Sequence, residues 1–183
     1  MAISIDVSNN TISGLAVGGL PDGIVDTDMI ADDAVTNAKR GPHAVLQVVT
    51  GTTSTMTEIT SGTGSWTDTN LSVDITPTDS SSKILVLVNG SVHTGSTSSG
   101  AATVFRDSTN LGHSNYGLTQ VHAGDGGGSS PSAMVVLDNP PGTATYTYKV
   151  KIMRVWAGAG GNSRVPSSNN YELATITLME ISG

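Results

Sequence analysis

The chain has no cysteine, one phenylalanine, two tryptophans and four tyrosines, and only 13% of its 183 residues are charged. Without cysteine there is no disulfide framework and no thiolate metal centre, whatever the redox compartment. Basic residues are scarce as well: 8 Lys plus Arg stand against 15 Asp plus Glu, a formal net charge of -7. Phosphate binding needs clustered Lys and Arg, so no nucleic-acid partner is expected. No stretch approaches the run of about 18 apolar residues that a membrane helix needs, so no membrane insertion is expected. The opening residues MAISIDVSNN lack a basic segment followed by an apolar one, and no secretory signal is read there. With aromatics at 4%, a core must be built mainly from Val, Ile, Leu and Ala. Such a core is thin, and burial between subunits would supplement it.

What the chain has in quantity is hydroxyl and glycine: Ser and Thr together number 47, and Gly 22. Thr favours strands, while Gly, Ser and Asn favour turns, so the composition predicts short strands joined by many turns.

Residues 1–43 read differently from the rest. They carry Asp6, Asp22, Asp26, Asp28, Asp32 and Asp33 against Lys39 and Arg40, a net of -4 out of the total -7. The stretch ISGLAVGGLPDG (12–23) is interrupted by Gly and Pro too often to be one regular element. In DTDMIADDAVTNAKR (26–40), Ile30, Ala34 and Ala38 recur at i, i+4 and i+8 with Val35 beside them. This narrow apolar stripe predicts a helix, with acids at its front, Lys39-Arg40 at its end and Gly41-Pro42 as its stop. So thin a stripe is marginal alone in water. The region is read as an attachment arm that folds against another surface through Ile24, Met29, Ile30, Ala34, Val35 and Ala38.

From Ala44 onward the pattern is β. Strand-like runs occupy 44–53, 71–76, 83–93, 102–107, 133–139, 145–155 and 173–181, separated by segments such as TPTDSSS, AGDGGGSSPS and NPPG. Tyr146, Tyr148, Val150 and Ile152 alternate with Thr145, Thr147, Lys149 and Lys151; Ala174, Ile176 and Leu178 alternate with Leu173, Thr175 and Thr177. Seven or eight strands without an intervening helix predict an all-β fold, an antiparallel β-sandwich of jelly-roll type, over 44–183. No repeat of propeller or solenoid length is visible.

Catalytic and metal chemistry finds little footing. His43, His93, His113 and His122 have no short ligand spacing, and there is no HExxH, so no metal is assigned. GHSNY (112–116) lacks the final Gly and the strand-to-helix setting of a nucleophile elbow. Neither GDGGGSS (124–130) nor AGAGGNS (157–163) ends in GK[ST] or opens a helix, so neither is a phosphate loop and no cofactor is expected. The aspartates of 26–33 lack the EF-hand spacing. The only glutamates are Glu58, Glu172 and Glu180, and they present no pair assignable to glycoside cleavage. An enzyme is not expected.

Binding surfaces need no motif. Saccharides are held by exposed aromatic faces flanked by amide and hydroxyl groups. Two loops have that composition: 108–132, with His113, Asn115 and Tyr116, and 156–171, with Trp156, Asn162, Arg164, Asn169, Asn170 and Tyr171. The competing reading places Trp156 and Tyr171 as caps of the sandwich or in subunit contacts. Trp66, just ahead of a strand, is expected in the core.

Three stretches carry a family resemblance: WTDTNLSVDITPTDSSSKILVLVNGSV (66–92), VVLDNPPGTATYTYKVKI (135–152) and LATITLMEI (173–181). Together they resemble the distal β-sandwich of phage tail fibres and tailspikes, a group familiar from phages of aquatic bacteria. Residues 12–42 resemble segments that precede such sandwiches. The match lies in loose patterns, in which Trp66, Pro77, Lys83, Leu137 and Tyr148 are fold determinants. It implies a homotrimer of jelly-roll subunits and carries over no catalytic or metal residue. A fibre needs a long stem, whereas an arm of 43 residues spans at most about 150 Å when fully extended. Read as a complete chain from Met1, the protein is expected to be a capsid cement or decoration protein. Its arm would clamp the major capsid protein on the outer virion surface, and its knob would face outwards, towards a host-surface glycan. The alternative is a tail fibre or tailspike receptor-binding tip, joined to a tail or baseplate protein and binding surface polysaccharide.

Overall fold

A computed structural model describes residues 4–9, 11–13, 34–36, 39–158, 161–168 and 171–183. They belong to two compact units, Met1–Arg40 and Gly41–Gly183. In the first, β1 (Ser4–Asp6) and β2 (Thr11–Ser13) form an antiparallel hairpin, for which no expectation was drawn from the sequence. Its turn is fixed by Asp6, whose carboxylate accepts hydrogen bonds from Ser8 N (2.9 Å), Ser8 Oγ (2.6 Å) and Asn9 Nδ2 (3.0 Å). This is the Asx-type local bonding that favours turns over regular structure.

The helix expected over 26–40 is not found where the structure speaks to it. Residues 34–36 are irregular, and Lys39 N donates to Thr36 O (2.9 Å) in a single tight turn. Of the arm residues, Ala34 is half-buried and Val35 exposed; Ile24, Met29, Ile30 and Ala38 lie outside the described residues. Residues 26–33 and 37–38 of that expected helix lie outside the described residues.

The second unit is all-β, and among the described residues there is no α-helix. Its strands are β3 (Val45–Thr53), β4 (Thr57–Ile59), β5 (Thr67–Ile75), β6 (Lys83–Thr94), β7 (Ser98–Arg106), β8 (Thr109–Asn110), β9 (Thr119–Ala123), β10 (Gly128–Asp138), β11 (Tyr146–Ala157), β12 (Ser163–Val165) and β13 (Ala174–Ile181). They build two antiparallel sheets. In the first, β6 pairs with β10 along one edge, and its other edge is shared by β13 and β12, which continue to β3 and β4. In the second, β11 lies between β5 and β7, and β7 carries β8 and β9 on its far edge.

The alternation read from sequence decides which faces meet. Tyr146, Tyr148, Val150 and Ile152 of β11, and Ala174, Ile176 and Leu178 of β13, point into one shared core with Ile84, Val86, Val88 and Val92 of β6. The sheets thus pack face to face in a sandwich-like arrangement. Each fully buried Val, Leu or Ile contributes about 1.5–3 kcal/mol. Thr69 Oγ1 donates to the Val150 carbonyl (2.7 Å), beside a bulge between Lys149 and Lys151. Trp66 departs from expectation. It sits outside the core, half-buried on the outer side of the second sheet, its ring edge-on to Phe105 at 6.2 Å.

Candidate functional site

β7 is buried from Ser98 to Phe105, on both of its faces. The inner face meets the core; the outer face is roofed by the segment that follows the strand. Leu111 N donates to Val104 O (3.0 Å) and Leu118 N to Ala102 O (2.9 Å) along the edge of β7, and Gly112 lies so close to Thr103 Oγ1 on the outer face that no Cβ fits. The hairpin at its tip is closed by mutual bonds between His113 and Gly117. Gly117, at φ +65°, presses against the Ala102 carbonyl and the tip of the Trp66 ring, where no Cβ fits. Trp66 Nε1 donates to Ser114 O (2.9 Å), and Asn115 N to His113 Nδ1 (3.1 Å). The His113 and Tyr116 rings stack at 5.1 Å between centroids and 22° between planes. A cavity of about 230 Å³ opens beside them, lined by Gly64, Asn115, Tyr116, Met153 and Val155.

The same outer face continues along β11. Met153 is level with Ala101 of β7 and Gln120 of β9; past a bulge at Val155, Trp156 is level with Ser99 and His122. Alternate residues of a strand stand about 7 Å apart, so Trp156 follows directly on the cavity wall. Trp156 is 52% exposed, and its ring stacks on His122 at 6.1 Å and 28°. Beside them Gln120 Nε2 donates to Ser99 Oγ (2.7 Å). The result is one strip with two ring pairs, an amide from Asn115 and a cavity between them.

The other nominated residues lie elsewhere. Arg164 of β12 is level with Glu58 of β4 and His93 of β6, on the outer face of the first sheet. Arg164 Nε (2.8 Å) and Asn162 Nδ2 (2.5 Å) both donate to Glu58 Oε1. The Arg164 and Asn162 hydrogen bonds keep the Glu58 carboxyl below its ordinary range, against a smaller upward push from burial than the Arg164 bond alone supplies. Burial, then the Arg164 charge, push the His93 imidazole down, while His93 Nδ1 and Ser129 Oγ share a hydrogen bond (3.1 Å). Tyr171 is 89% exposed, and Asn169 and Asn170 lie outside the described residues. The two loops therefore do not merge into one site: 108–132 contributes His113, Asn115 and Tyr116 to the strip, 156–171 contributes Trp156 alone.

Two features were not anticipated. His122 gains its place from the pairing of β9 with β7, and a short strand between glycine-rich segments gives no local signal of that. A cavity of about 280 Å³ on the first sheet is lined by Asn89, Gly90, Ser91, Pro131, Glu172 and Leu173. In it the Glu172 carboxylate accepts from Ser91 Oγ, Ser167 N (3.1 Å) and Ser167 Oγ (2.8 Å). Hydrogen bonds from Ser91 and Ser167 hold that carboxyl below its ordinary range. Among the described residues no three His, Asp or Glu side chains converge as a metal site would require.

No protein-family model matches the chain, and no curated protein matches it in sequence. Its function has to be read from its own surfaces.

Proposed function

We propose that the chain is a non-enzymatic phage virion surface protein, a homotrimeric capsid cement protein built from jelly-roll-like knobs with an N-terminal clamping arm. The observation that carries this reading is the division of the chain into a small acidic unit, Met1–Arg40, and a separate all-β unit, Gly41–Gly183. Apolar residues of the small unit such as Ile30, Ala34 and Val35 would pack against a partner, here the outer capsid. The resemblance of the knob to phage fibre sandwiches supplies the setting. Cryo-EM of purified particles of the encoding phage checks it. Many copies in threefold clusters over the head are the expected result; absence from the particle overturns the reading.

A second reading, a tail receptor-binding tip, is favoured by the strip of Tyr116, His113, Asn115, Trp156 and His122. Pyranose rings offer C–H faces that stack on aromatic rings and hydroxyls that pair with amides. If the knob holds surface polysaccharide there, Tyr116→Ala with Trp156→Ala weakens binding to isolated host polysaccharide at least tenfold, about 1.4 kcal/mol. Unchanged binding removes the strip from the reading, and a few trimers confined to the tail would replace cement by fibre.

A further inference from the structure

Among the described residues, nothing roofs the outer face of the first sheet across β10, β6, β13 and β3. Along it Leu137, Leu85, Met179 and Val48 form one cross-strand row over β10, β6, β13 and β3. Val135, Leu87, Thr177 and Thr50 form the next. The row beyond, from Ala133 to Thr52, adds an asparagine and a further threonine, so three successive rows contain no charged side chain. Val135 is 62% exposed, Leu137 55% and Val48 52%. Single exposed apolar side chains are ordinary, whereas a contiguous patch of this kind marks an interaction surface.

We infer that this face is where a second copy of the chain packs. Area is the first argument. Four strands at about 4.8 Å and three rows at about 7 Å give a footprint of roughly 400 Å². That is the size of an interaction patch and about half of the roughly 800 Å² per partner that a stable interface buries. Past the intervening Pro131–Ser91 row, a polar row with Glu58, Arg164, His93 and Ser129 supplies the rim such a core requires. Charge is the second argument. The chain carries a net charge of -7, so two copies repel except where a surface is uncharged, and this face is uncharged. A partner chosen by charge finds nothing here to grip. Pro131 within β10 discourages strand addition at that edge, leaving face-to-face packing as the mode of association. The inference rests on the proposed homotrimer only for the number of copies.

Sedimentation equilibrium of the full chain is expected to give two or three times the monomer mass. Val135→Asp combined with Leu137→Glu is expected to reduce it to one, with an unchanged circular-dichroism spectrum, since both side chains are already exposed in the single chain. Val48→Lys, on another strand, gives an independent variant should the pair fail to fold. Because the chain has no cysteine, Val135→Cys accepts a single nitroxide label, expected to be immobile in the oligomer. A monomeric parent chain, or a variant that folds and keeps the parent mass, overturns the inference. So does a monomer with an immobile label, which would mean that the chain covers its own face. An oligomer lost on Val135→Asp with Leu137→Glu, from a chain absent from virions, leaves the inference standing and removes the cement reading.

Discussion

Replacing Glu180 with alanine is expected to lower the stability of the β unit by about 3 kcal/mol, from the loss of hydrogen bonds to a buried charged group and the cavity left behind. Glu180 is completely buried, on the inner face of β13, and no cation pairs with it among the described residues. Its carboxylate is instead enclosed by Gln47 Nε2 (2.6 Å), Thr78 N (2.7 Å), Thr78 Oγ1 (2.8 Å) and Ser82 Oγ (2.6 Å). Thr78 and Ser82 belong to the turn that carries the chain from β5 in one sheet to β6 in the other, so the carboxylate pins a crossover. Alanine would leave the Ser82 hydroxyl buried and unpaired, while water reaches the exposed Thr78. For a domain of this size the melting temperature should fall by about 10 °C. A change below about 1 kcal/mol in urea midpoints, at constant m, would show that the turn holds without its pin.

The same group makes stability depend on acid. Burial raises the Glu180 pKa and the hydrogen bonds of Ser82, Gln47 and Thr78 lower it, with a net position below the ordinary 4.5. Both folded and unfolded carboxyls are ionised above that value, and the stabilisation is complete. As pH falls through it the unfolded chain takes up its proton first, and stability is lost until the folded carboxyl protonates too. Glu58, Asp68 and Glu172 are shifted in the same direction and add to the loss. Glu180→Gln should therefore flatten the drop in melting temperature below pH 4.5 relative to the parent chain.

Much of the fold was legible because one-sided burial leaves a period of two in the sequence. β11 and β13 carry it clearly, and both were read close to their observed limits. Glu180 falls in the buried phase of Ala174, Ile176 and Leu178, yet neither its burial nor its donors were read from the sequence. β7 was found only from residue 102, because its first half is small residues buried on both faces and shows no alternation. The short strands β4, β8, β9 and β12 were missed entirely; they exist through pairing, not through local preference. KILVLV and MVVLD are apolar in both phases, and such runs belong to strands covered on both faces. The sequence pattern thus fits a cover that the described residues do not provide. The His122–Trp156 ring pair could not be read in advance, since it depends on register between β9, β7 and β11, whereas His113 and Tyr116 meet within a single hairpin.

Asp138→Ala should be as damaging as the loss of Glu180, at about 3 kcal/mol, because it strands a partly buried cation. Asp138 of β10, 9% exposed, takes both its oxygens to Arg106 Nη1 (2.7 and 2.6 Å) and accepts the Tyr148 hydroxyl (2.6 Å). Burial, reinforced by that carboxylate, pushes the Tyr148 phenol far up, so it remains the donor at any physiological pH. Arg106 lies over the Tyr146 ring at 5.7 Å. Removing the carboxylate leaves the guanidinium and the phenol without their acceptor. Tyr148→Phe, which removes a single hydrogen bond to a charged group, should cost only about 1.5–3 kcal/mol. Replacing the ion pair as a unit, Arg106→Met with Asp138→Leu, should cost less than Asp138→Ala alone, since an apolar pair needs no counter-charge. Equal losses for single and double variants in urea unfolding would mean that packing, not pairing, holds this corner. The location gives the result a functional reading. Asp138 points inward beside Leu137, on the strand that presents the uncharged face, and it is tied to β11, whose far end presents Trp156. Loosening it should therefore weaken self-association at the first sheet before the unit unfolds, a loss that Tyr148→Phe, which keeps the ion pair, should largely avoid.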